Sequence, residues 1–169
     1  DSAAWAQEGA AAVGRHWVRD GHTAFDAWAR LRQPVIAVLD GHALGGGLET
    51  ALSCDVLIAA DTATVALPEV KVGFFAAAGG VQKLSRHIGR KAAMEMILSG
   101  RKVGAAEAKE LGIVNEVVPA AECFDRAMDK AREIAGNSPS SVKASMRVLA
   151  QLDELEQTLD GLLLSGPEL

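Results

Sequence analysis

The stretch GHALGGGLET, Gly41 to Thr50, follows directly on RQPVIAVLD, Arg32 to Asp40, and its reading decides the fold. PVIAVLD is a short β-branched run bounded by proline and aspartate, which predicts a buried strand. Three glycines then stand where the chain must turn, although glycine weakens helices and gives strands nothing to pack. LETALSC, Leu48 to Cys54, predicts a helix, and DVLIAA, Asp55 to Ala60, a second buried strand. Strand, helix and strand within so few residues are the grammar of a parallel sheet with crossover helices.

A strand that runs through glycines into a helix leaves unpaired backbone N–H groups at the helix start, where the dipole adds partial positive charge. Such a place holds an anion, or an oxygen that becomes one during reaction. GHALGGGLET fits neither the G-x-G-x-x-G dinucleotide fingerprint nor the G-x-x-x-x-G-K-[ST] phosphate loop. Glu49, beside the glycines, also opposes a phosphate. A carbonyl whose oxygen gains charge suits the place better, because an amide without a Cβ at Gly46 lets a flat acyl group approach closely. Taken alone, Glu49 is better read as a complement to the helix N-terminus, with the glycines allowing close packing. A second glutamate, Glu69 in ALPEV, lies in a loop after the second parallel strand, where sites gather. Two carboxylates from different loops can share one water, one accepting its proton while the other donates. Their proximity raises at least one of their pKa values.

Bulk properties bound the answer. The 169 residues fit one domain with a real core, and 49% hydrophobic and 23% charged residues describe a globular chain. A net charge of −5 and a pI near 5.4 argue against nucleic acid or an anionic membrane as the main partner. The basic clusters Lys83–Arg86 and Arg90–Lys91 are local exceptions. Cys54 and Cys123 allow no disulfide framework and no CxxC site, which favours a reducing compartment, the cytoplasm. The four histidines form no metal-ligand spacing, so no metal is expected, and His42 is read as structural. No apolar run approaches the roughly 20 residues of a membrane span, and no signal peptide is visible. Both ends of the chain read as cut.

Residues 2–31 are alanine-rich and predict helix, with Phe25, Trp28 and Leu31 on one face until Gln33-Pro34 ends it. DTATVALPEVKVG predicts an extended loop or short edge strand limited by Pro68. A helix is expected to open after Gly79-Gly80 and close at Gly89, and another over RKAAMEMILS with Ala93, Met94, Ile97 and Leu98 buried and Gly100 as its stop. GAAEAKELG predicts a short helix and IVNEVVP a third strand. From Ala120 to about Leu164 the pattern is helical, with Ser138 capping a helix that starts at Pro139.

Residues 33–119 closely resemble the crotonase superfamily, the enoyl-CoA hydratase/isomerase family. The likeness rests on the strand entering G-H-A-L-G-G-G, the acid two residues after the third glycine, C-D, L-P-E-V-K-x-G, A-G-G and G-R-x-x-A-x-E-x-x-L-S-G, in that order. The resemblance implies an α/β fold: a crotonase-like ββα spiral core, with residues 1–119 as a partial core and 120–169 as a truncated helical trimerisation region. It implies an acyl-CoA thioester substrate, no further cofactor, and a homotrimer or dimer of trimers. By position it gives Gly46 as one oxyanion amide and Glu49 and Glu69 as the acids that activate water and protonate the α-carbon. Gly45, Gly46, Pro68 and Ala77 would line the substrate. Both acids together favour a hydratase acting on a 2-enoyl-CoA. The family's other oxyanion amide comes from an upstream segment, with Asp1 read as its last residue. Ala76-Ala77 stand where hydratases have Pro-Gly, leaving room for a carnitinyl-CoA-like dehydratase, a racemase or a delta isomerase. A non-catalytic acyl-CoA-binding subunit is the remaining alternative.

Overall fold

The computed structural model describes residues 23–24, 27–28 and 31–164, with side chains through residue 152. The expected helix over residues 2–31 lies almost wholly outside these; Thr23, Ala24, Ala27 and Trp28 are helical.

The α/β expectation holds, and the strands build two sheets at once. β1 (Ile36–Leu39) and β3 (Val56–Ala60) pair in parallel, Ile36 opposite Val56 and Leu39 opposite Ala59, and β6 (Glu116–Val118) adds to the far side of β3. β2 (His42–Leu44) pairs in parallel with β4 (Thr64–Ala66), and β5 (Val103–Gly104) closes on β4 antiparallel. The first two passes of the chain each give one strand to each sheet before a helix follows, while in the third a helix separates β5 from β6. The first such helix is α1 (Gly46–Ala51); after β4 come a 3-10 turn (Glu69–Val72), α2 (Gly80–Ile88) and α3 (Arg90–Ser99). α4 (Ala105–Leu111) leads to β6, and α5 (Cys123–Ala135) and α6 (Pro139–Leu164) complete the order.

Three local expectations are corrected. GHAL is not all turn: His42–Leu44 is a strand, and Thr64 Oγ1 lies 2.8 Å from His42 Nδ1 across the ladder, so His42 has a structural partner. The segment around Thr64–Ala66 is no edge, since β2 and β5 flank it and Val65, Ala66 and Leu67 are buried. In α3 the buried positions are Ala93, Met96 and Ile97; Met94 is exposed and Leu98 is 66% exposed. The buried stripe is one residue out of phase with the expected one at Met96. Gly100 does end α3, and Ser138 stands ahead of α6 with its carbonyl accepting from Val142 N–H, while its hydroxyl pairs with Ser140 Oγ at 3.0 Å.

The core joins both sheets to the helices through Leu48, Ile58, Leu67, Leu84, Met96 and Ile113, all essentially inaccessible. Each such side chain contributes roughly 1.5–3 kcal/mol by leaving water. Leu48 matters most for the site, because its burial seats α1, a helix of six residues that is too short to stand alone. Asn115 extends the β3–β6 ladder by exchanging two hydrogen bonds of 2.8 Å with the Leu57 backbone.

Candidate active site

Gly45 is both the last rung of one ladder and the start of a helix. Its N–H donates to Ala66 O at 2.9 Å, continuing the β2–β4 pairing, and its carbonyl accepts from Glu49 N–H at 3.0 Å, the first bond of α1. Its φ of 55° and ψ of −125° belong to glycine. A Cβ there would also lie 2.6 Å from Glu69 Oε1. The first of the three glycines therefore turns the chain and lets the second acid come close.

Gly46 and Gly47 behave differently. Both are exposed, and a Cβ on either would meet nothing within 4 Å. Gly46 opens α1, so its N–H is among those with no acceptor inside the helix. Space in front of this amide is what an approaching flat acyl group requires.

Glu49 is only 4% exposed. Its Oε1 accepts from Ala78 N–H at 2.8 Å and from Gly80 N–H at 2.9 Å, the main chain at the start of α2. Two donors on Oε1 fix that oxygen as an acceptor, and no hydrogen bond reaches Oε2 among the described residues. Oε2 is therefore the oxygen of this acid left open to take up or give a proton. Gly80 is as necessary to Glu49 as Gly45 is to Glu69: a Cβ there would sit 2.8 Å from Glu49 Cγ and 2.9 Å from Oε1. Ala76 is 3% exposed, its methyl packed toward Gly80 on this side of Glu49, and Ala77 is half-buried.

Glu69 follows half-buried Pro68, whose carbonyl accepts from Lys71 N–H at 2.9 Å and so closes the 3-10 turn. Glu69 Oε2 is buried without a hydrogen-bond partner. Desolvation pushes its carboxyl above the ordinary glutamate value; a bond from its own backbone N–H opposes this, and the negative charge of Glu49 adds to it. That electrostatic coupling, with the shared neighbour Gly45, brings the two acids to one place at the ends of β2 and β4. A buried and a half-buried carboxylate with no arginine or lysine paired to either among the described residues make a costly arrangement, and such arrangements gather where protons move.

The sequence reading names Glu49, Glu69, Gly45, Gly46, Pro68 and Ala77, and all six lie in these two strand-end segments or the loop that joins them to α2. It misses the Ala78 and Gly80 amides and the need for a bare Gly80. The A-G-G triplet is their only trace in the sequence, and it is read there as a helix start.

Comparison with known proteins places this geometry. Residues 6–161 match the family described as enoyl-CoA hydratase/isomerase. A probable enoyl-CoA hydratase of Mycobacterium bovis is 47% identical over 122 residues, which cover 70% of this chain and 48% of that protein. The 2,3-dehydroadipyl-CoA hydratase of Escherichia coli is 39% identical over 131 residues, covering 76% of this chain and 51% of its own length. Among solved structures, an enoyl-CoA hydratase from Bacillus anthracis superposes with a TM-score of 0.83 at 36% identity, covering 95% of this chain and 66% of that one. A carnitinyl-CoA hydratase from Mycobacterium avium gives 0.69 at 39% identity, covering 78% of this chain and 54% of that one. The chain spans about half the length of the curated relatives it matches.

Proposed function

The chain belongs to the enoyl-CoA hydratase/isomerase family, and from that premise we propose that it carries the acid/base half of a hydratase site that adds water across the double bond of a 2-enoyl-CoA. The observation that supports this most is the pair of carboxylates, buried Glu49 and half-buried Glu69, set around the glycine turn with no cation paired to either among the described residues.

The substrate lies as a thioester with its carbonyl oxygen toward Gly46 N–H. Glu49 Oε2 accepts a proton from water as the oxygen of that water bonds to the β-carbon. The π electrons of the double bond shift toward the thioester, leaving enolate charge on its oxygen, where the Gly46 amide opposes it. Glu69, whose carboxyl keeps its proton to higher pH than an ordinary glutamate, delivers a proton to the α-carbon. Restoring both acids returns one proton from Glu49 to Glu69 by way of solvent, and the net change is the addition of H and OH. Gly45 holds the turn, and Pro68 and Ala77 edge the acyl chain.

The same reading takes in a homotrimer or dimer of trimers. Phe124 is exposed on α5, and Val148, Leu149 and Leu152 are exposed on α6, an apolar surface of the kind that subunit packing covers. A cytoplasmic setting suits two free thiols. Among the described residues no helix is long and apolar enough to cross a membrane.

The experiment is loss of enoyl-thioester absorbance with the full-length protein and with Glu49→Gln and Glu69→Gln. Each substitution is expected to lower kcat by about 10²–10⁴-fold, the usual worth of a positioned acid or base. Parent-like hydration by both variants would exclude the assignment. If one variant still shifts the double bond of a 3-enoyl-CoA, the chemistry is isomerisation, which moves a proton with one acid.

A further inference from the structure

Glu49 is gripped from its main chain as well as from its side chain. Ser53 is 8% exposed, and its hydroxyl donates to Glu49 O at 2.9 Å. Lys83 Nζ donates to Ser53 Oγ at 2.6 Å. An ammonium only donates, so Ser53 Oγ must accept from Lys83 and spend its own hydrogen on Glu49 O. The direction of this relay is therefore fixed. Lys83 belongs to the first turn of α2: its N–H donates to Gly79 O at 2.9 Å, and its stem lies over Gly79, with Cε 3.5 Å from where a Cβ would stand. Gly79 lies between Ala78 and Gly80, whose amides hold Glu49 Oε1.

The bonds make a closed circuit. It runs from the Glu49 carboxylate to the Gly80 amide, through one turn of α2 to Lys83, then through Ser53 back to the Glu49 carbonyl. We propose that Lys83 and Ser53 are positioning residues that lock the start of α2 against α1, so that Oε1 of Glu49 stays on its two amides and Oε2 stays aimed at the reacting atoms. This rests on the hydratase reading above, in which Glu49 is one of the two acids. Ser53 is bonded to the Glu49 main chain and Lys83 to Ser53, not to the Glu49 carboxylate. Their effect passes through Glu49, where small displacements of a proton-transferring oxygen are expensive.

The test uses the full-length protein with Lys83→Met, Lys83→Arg, Ser53→Ala and Ser53→Thr, each alone and combined with Glu49→Gln, assayed on a short 2-enoyl-CoA. Lys83→Met and Ser53→Ala are expected to lower kcat about tenfold, the worth of one hydrogen bond to a charged group. KM should stay within about twofold, and Lys83→Arg and Ser53→Thr should keep most of the rate. Combined with Glu49→Gln, the same changes should cost nothing more. Hydrogen exchange of the peptide containing Ala78–Gly80 should quicken in Lys83→Met and Ser53→Ala and not in the conservative variants. That readout needs no turnover, so it decides the matter even where a rate is too low to measure. Unchanged kcat with unchanged exchange overturns the proposal, as does a rise in KM alone or a further loss on top of Glu49→Gln. If Glu49→Gln itself turns over like the parent, the hydratase reading falls, while the exchange result still judges the circuit.

Discussion

Two groups of carboxylates in this protein have opposite surroundings. On the outer side, Glu116 receives the Arg126 guanidinium through two bonds of 2.6 and 2.7 Å, with Lys130 at 3.5 Å, and Arg101 bridges Glu95 and Glu107. These acids are partly exposed and fully answered by cations, which hold the carboxyls of Glu116 and Glu107 below the usual range. At the ends of β2 and β4 the pattern reverses. Glu49 is buried on backbone amides, and Glu69 has one oxygen buried with no partner and a carboxyl raised by desolvation. Charge is matched where water already softens its cost and left unmatched where the cost is highest. Ion pairs of the first kind secure helices; isolation of the second kind keeps a proton exchangeable.

The comparison can be broken most forcefully at Gly80. Alanine fits its backbone and favours a helix, yet the new methyl would stand under 3.0 Å from Glu49 Cγ. Gly80→Ala should therefore lose some Tm to overpacking against Glu49 and Ala76, while kcat falls about a hundredfold through displacement of the acid, more than the stability loss explains. A rate loss that only tracks unfolding would show that Glu49 is structural. Gly45→Ala should next cost roughly 1–3 kcal/mol of stability from the positive φ alone, with activity falling as Glu69 is pushed aside. Chemical denaturation beside kinetics separates these two effects.

A finer test compares pH dependence. Glu69 has a raised folded pKa, so the folded state binds protons more tightly than the unfolded one, and stability falls as pH rises above the ordinary carboxylate value. Glu69→Gln should thus be more stable than the parent at neutral pH, with the gap closing below about pH 4.5. Glu116 has a lowered pKa, so its contribution is present at neutrality and is lost as pH falls through its folded value. Glu116→Gln should lower Tm at neutral pH, with that deficit vanishing in acid. Parallel pH profiles for the two variants would erase the distinction between the regions. The smallest effect belongs to Arg126→Ala, a slight loss of Tm that high salt removes, with kcat unchanged.

How much of this was written in the sequence depends on the length of the signal. The PVIAVLD and DVLIAA strands are legible because β-branched runs between punctuation have few other uses, and they pair in the expected parallel sense. Glu49 and Glu69 are legible because each stands beside residues that only a special backbone demands. β2, with three residues, and β5, with two, are too short for any period to emerge, so the second sheet is invisible without its neighbours. Met94 and Leu98 mislead for another reason: apolar spacing marks a stripe but does not say how far round the helix it is covered, and Met96 is the residue that the core takes. The Ala78 and Gly80 amides are hardest of all, since every residue except proline carries an N–H and only folding decides which ones converge.

The rung from Gly45 N–H to Ala66 O has a consequence for how such a protein can change. Glu49 stands four residues beyond one side of that rung and Glu69 three beyond the other, so the spacing between the two acids is counted off from a single bond. A slip of the β2–β4 pairing by one residue would carry one acid about 3.3 Å along the strand, farther than a proton can be handed across. An insertion or deletion between Leu44 and Glu49, or between Ala66 and Glu69, would break that spacing, whereas the exposed residues Gly73, Phe74 and Phe75 lie outside the count. On the hydratase reading proposed above, a change of substrate would be made there, by altering length and bulk in that loop while the measuring rung stays untouched.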